Sequence, residues 1–419
     1  KTVMTGIGLR PGHFDATGLA RVDLPFTEEE YCARLKKLTA MAAEEGIDLL
    51  WLTSPEGVAW LHGFTASWYK GQAPMRYPQC YGTAVHVASR RFIHFDNPTE
   101  EPVLAMTSRS RDNRWLPDRE AGPNIAFIVE ELKRERWLSG TVGMEFWSYL
   151  PNRAISTMFE GAFLAAGARP VDMSAMVRRA RRVKSAAEIA CIERAMEICD
   201  IGHQAIIDNL EPGITELELF GRVMAAMMAA GGEFSALIPV FNAMPLAGSK
   251  PMSSGHSMAS RRVINAGEVL AADLCGVFNR YHANALRGYY VGDDPPRDLV
   301  ERYRLSGGVF GVIASEVKAG MTVRDVNRVL RSYYEETGLW SDDEGWALGY
   351  ELGWSLPPDW VGDFYFHLGD DRYLDRVFEE NTVTNFESLF DTHLIDTLVY
   401  GRNRTRVLSK TPLELIAVG

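Results

Sequence analysis

The chain has 419 residues, too many for one ordinary hydrophobic core, and its 46% hydrophobic and 24% charged content is that of a water-soluble globular protein, so two domains are expected. A net charge of −11 disfavours nucleic acid, which wants a basic face. Five scattered cysteines with no C-x-x-C pair point to reduced thiols in a cytoplasm rather than a disulfide framework, and the absence of a long apolar run or a leader-like first fifteen residues predicts neither a membrane span nor a secretory signal.

In chain order, residues 27–46 read as an amphipathic helix capped by Thr27 and closed by Gly46. The short apolar run 47–52 reads as a buried strand. Strands are expected near 83–87, 91–95 and 141–145, and helices near 125–134 and 152–166. That alternation predicts an α/β amino-terminal domain, residues 1–180, on a mainly parallel or mixed sheet. Ser185 and Glu188 spell a capping box, S-x-x-E, that opens a long helix to about Asn209 and marks the start of a second domain, 181–419. Cys191 and Cys199 lie in its apolar pattern and read as buried small hydrophobes. Two later stretches, L-E-P-G-I-T-E at 210–216 and V-K-A-G-M-T-V at 317–323, each precede a helix. They form a weak internal repeat of turn, Thr cap and helix. The methionines at 224, 227 and 228 read as core.

Three residues carry the chemistry. Asp273 sits on an apolar strand, L-A-A-D-L-C-G, and Glu387 on another, V-T-N-F-E-S-L-F. A carboxylate flanked by such neighbours is costly to bury unless it is paired or used. His256 stands twelve residues before Glu268, an offset that resembles the one in creatinase-type proteins, a resemblance that implies a general acid/base; imidazole is the natural proton carrier near neutral pH. Two carboxylates from one sheet and a histidine make a nucleophile, acid and base set that needs no metal.

The stretch from Ala271 to Gly292, A-A-D-L-C-G-V-F-N-R-Y-H-A-N-A-L-R-G-Y-Y-V-G, resembles the creatinase/aminopeptidase P/prolidase family, the pita-bread fold. The resemblance implies an α+β carboxy-terminal domain with a pseudo-two-fold, curved antiparallel sheet. In the metal-dependent members two Asp stand eleven residues apart here and bind a divalent ion. The first is Asp273; the second falls on Asn284. The family's later metal His falls on Tyr350 in G-Y-E-L-G, one Glu survives as Glu387, and the last falls on Ile395. A dinuclear hard-cation site needs several carboxylates, so two of five ligands argue for the fold without its usual metallopeptidase chemistry, and no cofactor is expected.

R-Y-H at 280–282 and G-Y-x-x-G-x-S-x-P-P-D-W from Gly349 to Trp360 look like the ectoine hydrolase branch. That branch implies opening of a cyclic amidine, with a carboxylate at the Asp273 position attacking the amidine carbon; Asp here is one methylene shorter than its Glu. His282, Asn284, Tyr350 and Trp360 are expected to touch substrate. Creatinase's substrate-contacting Glu is Leu286 here and its carboxylate-binding Arg maps to Glu344, which ranks a creatine-like substrate second. Gly63 to Tyr69 resembles a loop that in the family reaches into the partner subunit's pocket. Trp68 and Tyr69 could stack on an amidinium and Arg76 bind a carboxylate, which implies a homodimer. The resulting expectation is a metal-independent hydrolase of a C–N bond in a small amidine or guanidino compound. The alternatives are an Xaa-Pro metallopeptidase with a remodelled site, a lyase on a small zwitterionic osmolyte, or a non-catalytic dimeric binding protein.

Overall fold

The computed structural model describes residues 24–66, 78–252, 255–340, 346–358 and 362–419. It divides into two compact units, Lys1–Arg181 and Arg182–Gly419.

The first unit runs α1 (Glu28–Glu44), β1 (Leu49–Leu52), α2 (Pro55–His62), β2 (Gly82–His86), β3 (Arg91–Asp96), α3 (Glu101–Thr107), β4 (Asn113–Trp115), α4 (Ala121–Arg134), β5 (Gly140–Met144), α5 (Arg153–Ala165), β6 (Ala168–Asp172) and α6 (Ser174–Arg182). Thr27 accepts the Glu30 N–H and three glutamates occupy the first turn of α1, where the helix dipole favours negative charge. The six strands order as β4-β3-β2-β1-β5-β6, a mixed sheet in which β1 pairs antiparallel with β2 and parallel with β5. The strand period of two decides where each side chain goes. Leu49 and Trp51 enter the core under α4 and α5, while Leu50 and Leu52 enter the one that holds Leu38, Leu61 and Met176. Helix α2 stops at Gly63, whose φ of 90° is the left-handed conformation glycine adopts without strain.

The second unit runs α7 (Ala186–Asn209), α8 (Glu216–Ala229), β7 (Phe241–Met244), β8 (Leu246–Ala247), β9 (Lys250–Pro251), β10 (Val269–Phe278), β11 (Tyr281–Val291), α9 (Arg297–Glu316), α10 (Val323–Glu336), β12 (Trp346–Tyr350), β13 (Tyr365–His367), β14 (Val383–Leu389), β15 (Leu394–Tyr400), β16 (Thr405–Val407) and β17 (Ile416–Val418). The Ser185/Glu188 capping box forms as the sequence predicts. The repeat is structural too. Thr215 with Glu218 caps α8, Thr322 with Asp325 caps α10, and each box follows a glycine at positive φ, Gly213 and Gly320. Each half therefore contributes a helix pair to one sheet, ordered β13-β12-β14-β15-β11-β10-β7. β16 adds to β15, and β17 adds to β11 as its parallel neighbour.

Helix α7 packs against β10 and β11. Cys199 Sγ donates to the Leu274 carbonyl at 3.1 Å, and His203 Nε2 lies 3.0 Å from the Ala285 carbonyl. Gly276 admits this approach, since a Cβ there would sit 1.7 Å from the Ala195 carbonyl oxygen. Cys191, Cys199 and Met227 are buried. All five cysteines are free thiols. Among the described residues no helix is long and apolar enough to cross a membrane.

Candidate active site

Strand register assembles the site. Asp273 pairs with Leu286, Leu286 with Ile395, and Ile395 with Glu387, one row crossing β10, β11, β15 and β14. Directly paired residues of an antiparallel sheet point to the same side. Both carboxyls therefore project from one face, separated by an apolar floor of Leu286 and Ile395 to which Ala271 and Leu389 add. Two residues along each strand lies a polar row on the same face: Cys275 pairs with Asn284, and Thr397 with Asn385. Leu274, Ala285, Arg287 and Asp396 alternate with these residues and point to the opposite face.

The hydrogen bonds join these groups in two pairs. Asn284 Nδ2 donates to Asp273 Oδ1 at 3.2 Å. Its amide oxygen, fully buried, has no hydrogen-bond partner among the described residues. The Tyr350 hydroxyl bonds Glu387, and Asn385 Nδ2 donates to Glu387 Oε1 at 3.2 Å. Burial pushes Asp273 up to about 7, against the opposing bond from Asn284. Burial, then the charge of Asp273, pushes Glu387 up to about 7, against the bonds from Tyr350 and Asn385. The charge of Asp273 favours the protonated form of Glu387, so the two carboxyls titrate as neighbours rather than independently. Burial, then the charges of Glu387 and Asp273, raises the Tyr350 hydroxyl well above its ordinary value, so it stays a donor. Burial and the same Asp273 charge raise the Cys275 thiol, which removes it as a nucleophile.

Other expected site residues fall elsewhere. His282 is fully buried and both ring nitrogens are committed to backbone: Nδ1 to the Arg280 carbonyl at 3.0 Å, Nε2 to the Ala236 N–H at 2.9 Å. Burial lowers it to about 3, so it stays neutral and locks the β10–β11 turn instead of meeting a substrate. The sequence could not show this, because the donor it satisfies is 46 residues away. His256 is exposed and, among the described residues, its ring makes no hydrogen bond or ion pair. Its neighbour Ser257 accepts the Phe241 N–H, and Phe241 pairs with Ala272, so His256 stands at the rim, about 10 Å or two strand spacings from β10. Asp273 and Glu387 share one face of the sheet, and His256 stands at its rim. Trp68, Tyr69, Arg76, Glu344 and Trp360 lie outside the described residues. Asn385 is a site residue that sequence reading does not single out; its i, i+2 spacing from Glu387 on a strand is the signal that places both on one face.

The five positions that would hold a dinuclear metal do not fit one. Ile395 has no donor atom, the Asn284 N–H2 group faces Asp273, and Tyr350 is spent on Glu387. Among the described residues no cluster of three or more His, Cys, Asp or Glu is arranged to hold an ion.

The second unit has the pita-bread architecture and the first is an α/β domain. Residues 34–183 match the creatinase/prolidase N-terminal domain and residues 190–393 match metallopeptidase family M24. The chain belongs to the creatinase/aminopeptidase P/prolidase family. It is 28% identical over 363 residues to the ectoine hydrolase of Halomonas elongata, covering 82% of this chain and 85% of that protein. It is 26% identical over 247 residues to the Xaa-Pro dipeptidase of Pyrococcus furiosus, covering 58% and 67%. The X-Pro aminopeptidase of Thermotoga maritima superposes with a TM-score of 0.73 at 18% identity, over 92% of this chain and 99% of that one. The dipeptidase of Pyrococcus horikoshii gives 0.74 at 17% over the same shares.

Proposed function

We propose that this protein is a metal-independent hydrolase that cleaves a C–N bond of a small amidine or guanidino compound, ectoine-like before creatine-like. The observation that carries this reading is the face between Asp273 and Glu387. It presents two carboxyls and a buried amide oxygen, Asn284 Oδ1, that has no partner among the described residues. Hydrogen-bond acceptors massed in a buried site call for a ligand that brings N–H donors and positive charge. An amidinium does both, and its central carbon is already electron-poor, so it needs a fixed anion and a proton carrier more than a Lewis acid. On this reading Asp273 faces the amidinium carbon, Glu387 orients water or a substrate N–H, and His256 carries the proton to the departing nitrogen. One water is consumed: its oxygen ends on the carbon, and the nitrogen leaves as an amine. The similarity to ectoine hydrolase supports the order of substrates, and five free thiols suit a cytoplasmic setting.

The test is a panel of ectoine, acetamidine, creatine and an Xaa-Pro dipeptide, each with and without a chelator, with products read by mass spectrometry and metal by elemental analysis. The expected result is addition of water to an amidine, indifferent to chelation, by protein with substoichiometric metal. One or two metals per chain, with dipeptide cleavage lost to the chelator and restored by metal, would establish the peptidase instead. Elimination without uptake of water would establish a lyase.

We also propose that the working form is a homodimer in which the 63–69 loop completes the partner's pocket. The loop's resemblance to its family counterpart supports this. So do exposed apolar side chains beside β7, Phe234 at 73% and Ile238 at 63% exposure, which favour burial against another surface. Small-angle scattering is expected to give a two-chain particle; a monomer with full activity would contradict it.

A further inference from the structure

Asn385 is fully buried on β14, two residues before Glu387 on the same face. Its Oδ1 accepts the backbone N–H of Tyr350 at 2.9 Å, and its Nδ2 donates to Glu387 Oε1 at 3.2 Å. A main-chain N–H can only donate, so the amide has one possible sense: oxygen toward Tyr350, nitrogen toward Glu387. The β12–β14 ladder runs through Trp346↔Leu389, Ala347↔Ser388 and Leu348↔Glu387, and two residues on, a side chain takes the hydrogen bond of Tyr350. Gly349 makes the close approach possible, because a Cβ there would lie 2.5 Å from the Asn385 carbonyl oxygen and 2.4 Å from Phe366 Cε1. The Asn284 amide is held at one end only: its Nδ2 donates to Asp273 Oδ1, and its oxygen has no partner among the described residues, so no backbone group fixes it as Tyr350 fixes Asn385.

From this contrast we infer that Asn385 is the positioning residue of the site. By holding a donor permanently on Oε1, it fixes Glu387 in place as a hydrogen-bond acceptor for the substrate's N–H or for water, while the Asp273 side of the face remains adjustable. The inference rests on the proposed C–N hydrolysis for its catalytic consequence and on geometry alone for the clamp.

The clamp and its consequence are tested separately. Asn385→Asp keeps an oxygen for the Tyr350 N–H but removes the N–H that holds Glu387 and sets two carboxyls side by side. It is expected to lower Tm by roughly 5 °C. The double variant N385D/E387Q reverses the polarity of the bond, since the introduced glutamine amide now donates to the introduced carboxylate. It is expected to regain most of that loss, relative to E387Q alone. Additive Tm changes, or a double variant no better folded than N385D, would overturn the clamp. With ectoine as the probe, N385D is expected to lose roughly 10–100-fold in kcat with KM changed less than about threefold, the signature of a misplaced group that still binds substrate. Wild-type turnover with an unchanged kcat in N385D would reject the positioning role and leave the proposed function standing. No wild-type turnover of any amidine would remove that function, and the catalytic half of this inference with it.

Discussion

Replacing Asp273 by Asn is expected to abolish most turnover while making the protein more stable at alkaline pH. The carboxamide keeps an oxygen for the Asn284 N–H and fits the same space, so the fold survives. What goes is the anion facing the substrate, and a loss of roughly 10³-fold or more is expected, about 4 kcal/mol of transition-state stabilisation. His256→Ala should cost less, about 10²-fold, since water can deliver a proton in its place.

The stability half follows from linkage. Burial raises the Asp273 carboxyl from 3.8 to about 7. A group raised on folding contributes its stability fully below the unfolded value, and that contribution is lost as pH climbs through the folded value. Three units correspond to about 4 kcal/mol at pH 8. The neutral amide escapes this cost. Its Tm is therefore expected to exceed the wild type's at pH 8, and the gap to shrink steadily as pH falls from 7 to 4. A variant both inactive and less stable at pH 8 would mean that Asp273 serves the fold, as one partner of Asn284, and not the chemistry. Opposite signs for activity and stability are what a functional carboxyl buried for its reactivity should give.

Replacing Arg287 by Met is expected to be the most damaging single change in the second unit. Arg287 and Asp396 are both fully buried on the face opposite the site, with Nη2 2.6 Å from Asp396 Oδ2. The guanidinium also donates to the Ile395 carbonyl at 2.6 Å, the Leu286 carbonyl at 3.0 Å and the Pro412 carbonyl at 2.8 Å, and it reaches Ser409 and the Thr411 carbonyl. It thus holds the backbone of both floor residues and pins the 409–412 segment to the sheet. Methionine fills the space but leaves Asp396 buried without its counter-charge and several carbonyls without donors. Breaking a buried pair from one side costs about 3–5 kcal/mol, or roughly 10 °C in Tm for a unit of this size. Removing the other partner as well, in R287M/D396L, is expected to recover part of the loss. A single variant within about 1 kcal/mol of wild type by urea denaturation would show that the pair is dispensable.

Much of the fold was legible because it rests on local signals. Thr27, Ser185, Thr215 and Thr322 cap helices wherever they occur, since a side-chain oxygen three residues ahead of an unpaired N–H acts independently of the rest of the chain. The helix expected at 125–134 begins four residues earlier, at Ala121, because Glu120 makes no side-chain cap bond and so leaves no sequence mark. Asp273 and Glu387 stood out because charge on an apolar strand is anomalous in any fold. Their distance from His256 did not, since it is set by which strand edges pair.

By itself, then, the sequence determined the two-unit organisation, the helix starts, the strands bearing the carboxyls and the loss of metal donors at Asn284, Tyr350 and Ile395. These follow from residue type and spacing over a few positions. Only the tertiary structure decided what each polar group faces. It set His282 against the backbone, joined Asn284 to Asp273 with one oxygen left open, left His256 on the rim and brought Asn385 between Tyr350 and Glu387. The joining of the two carboxyl-bearing halves depends on strands more than a hundred residues apart, Leu286 against Ile395. A slip of one residue there would put Asp273 and Glu387 on opposite faces of the sheet.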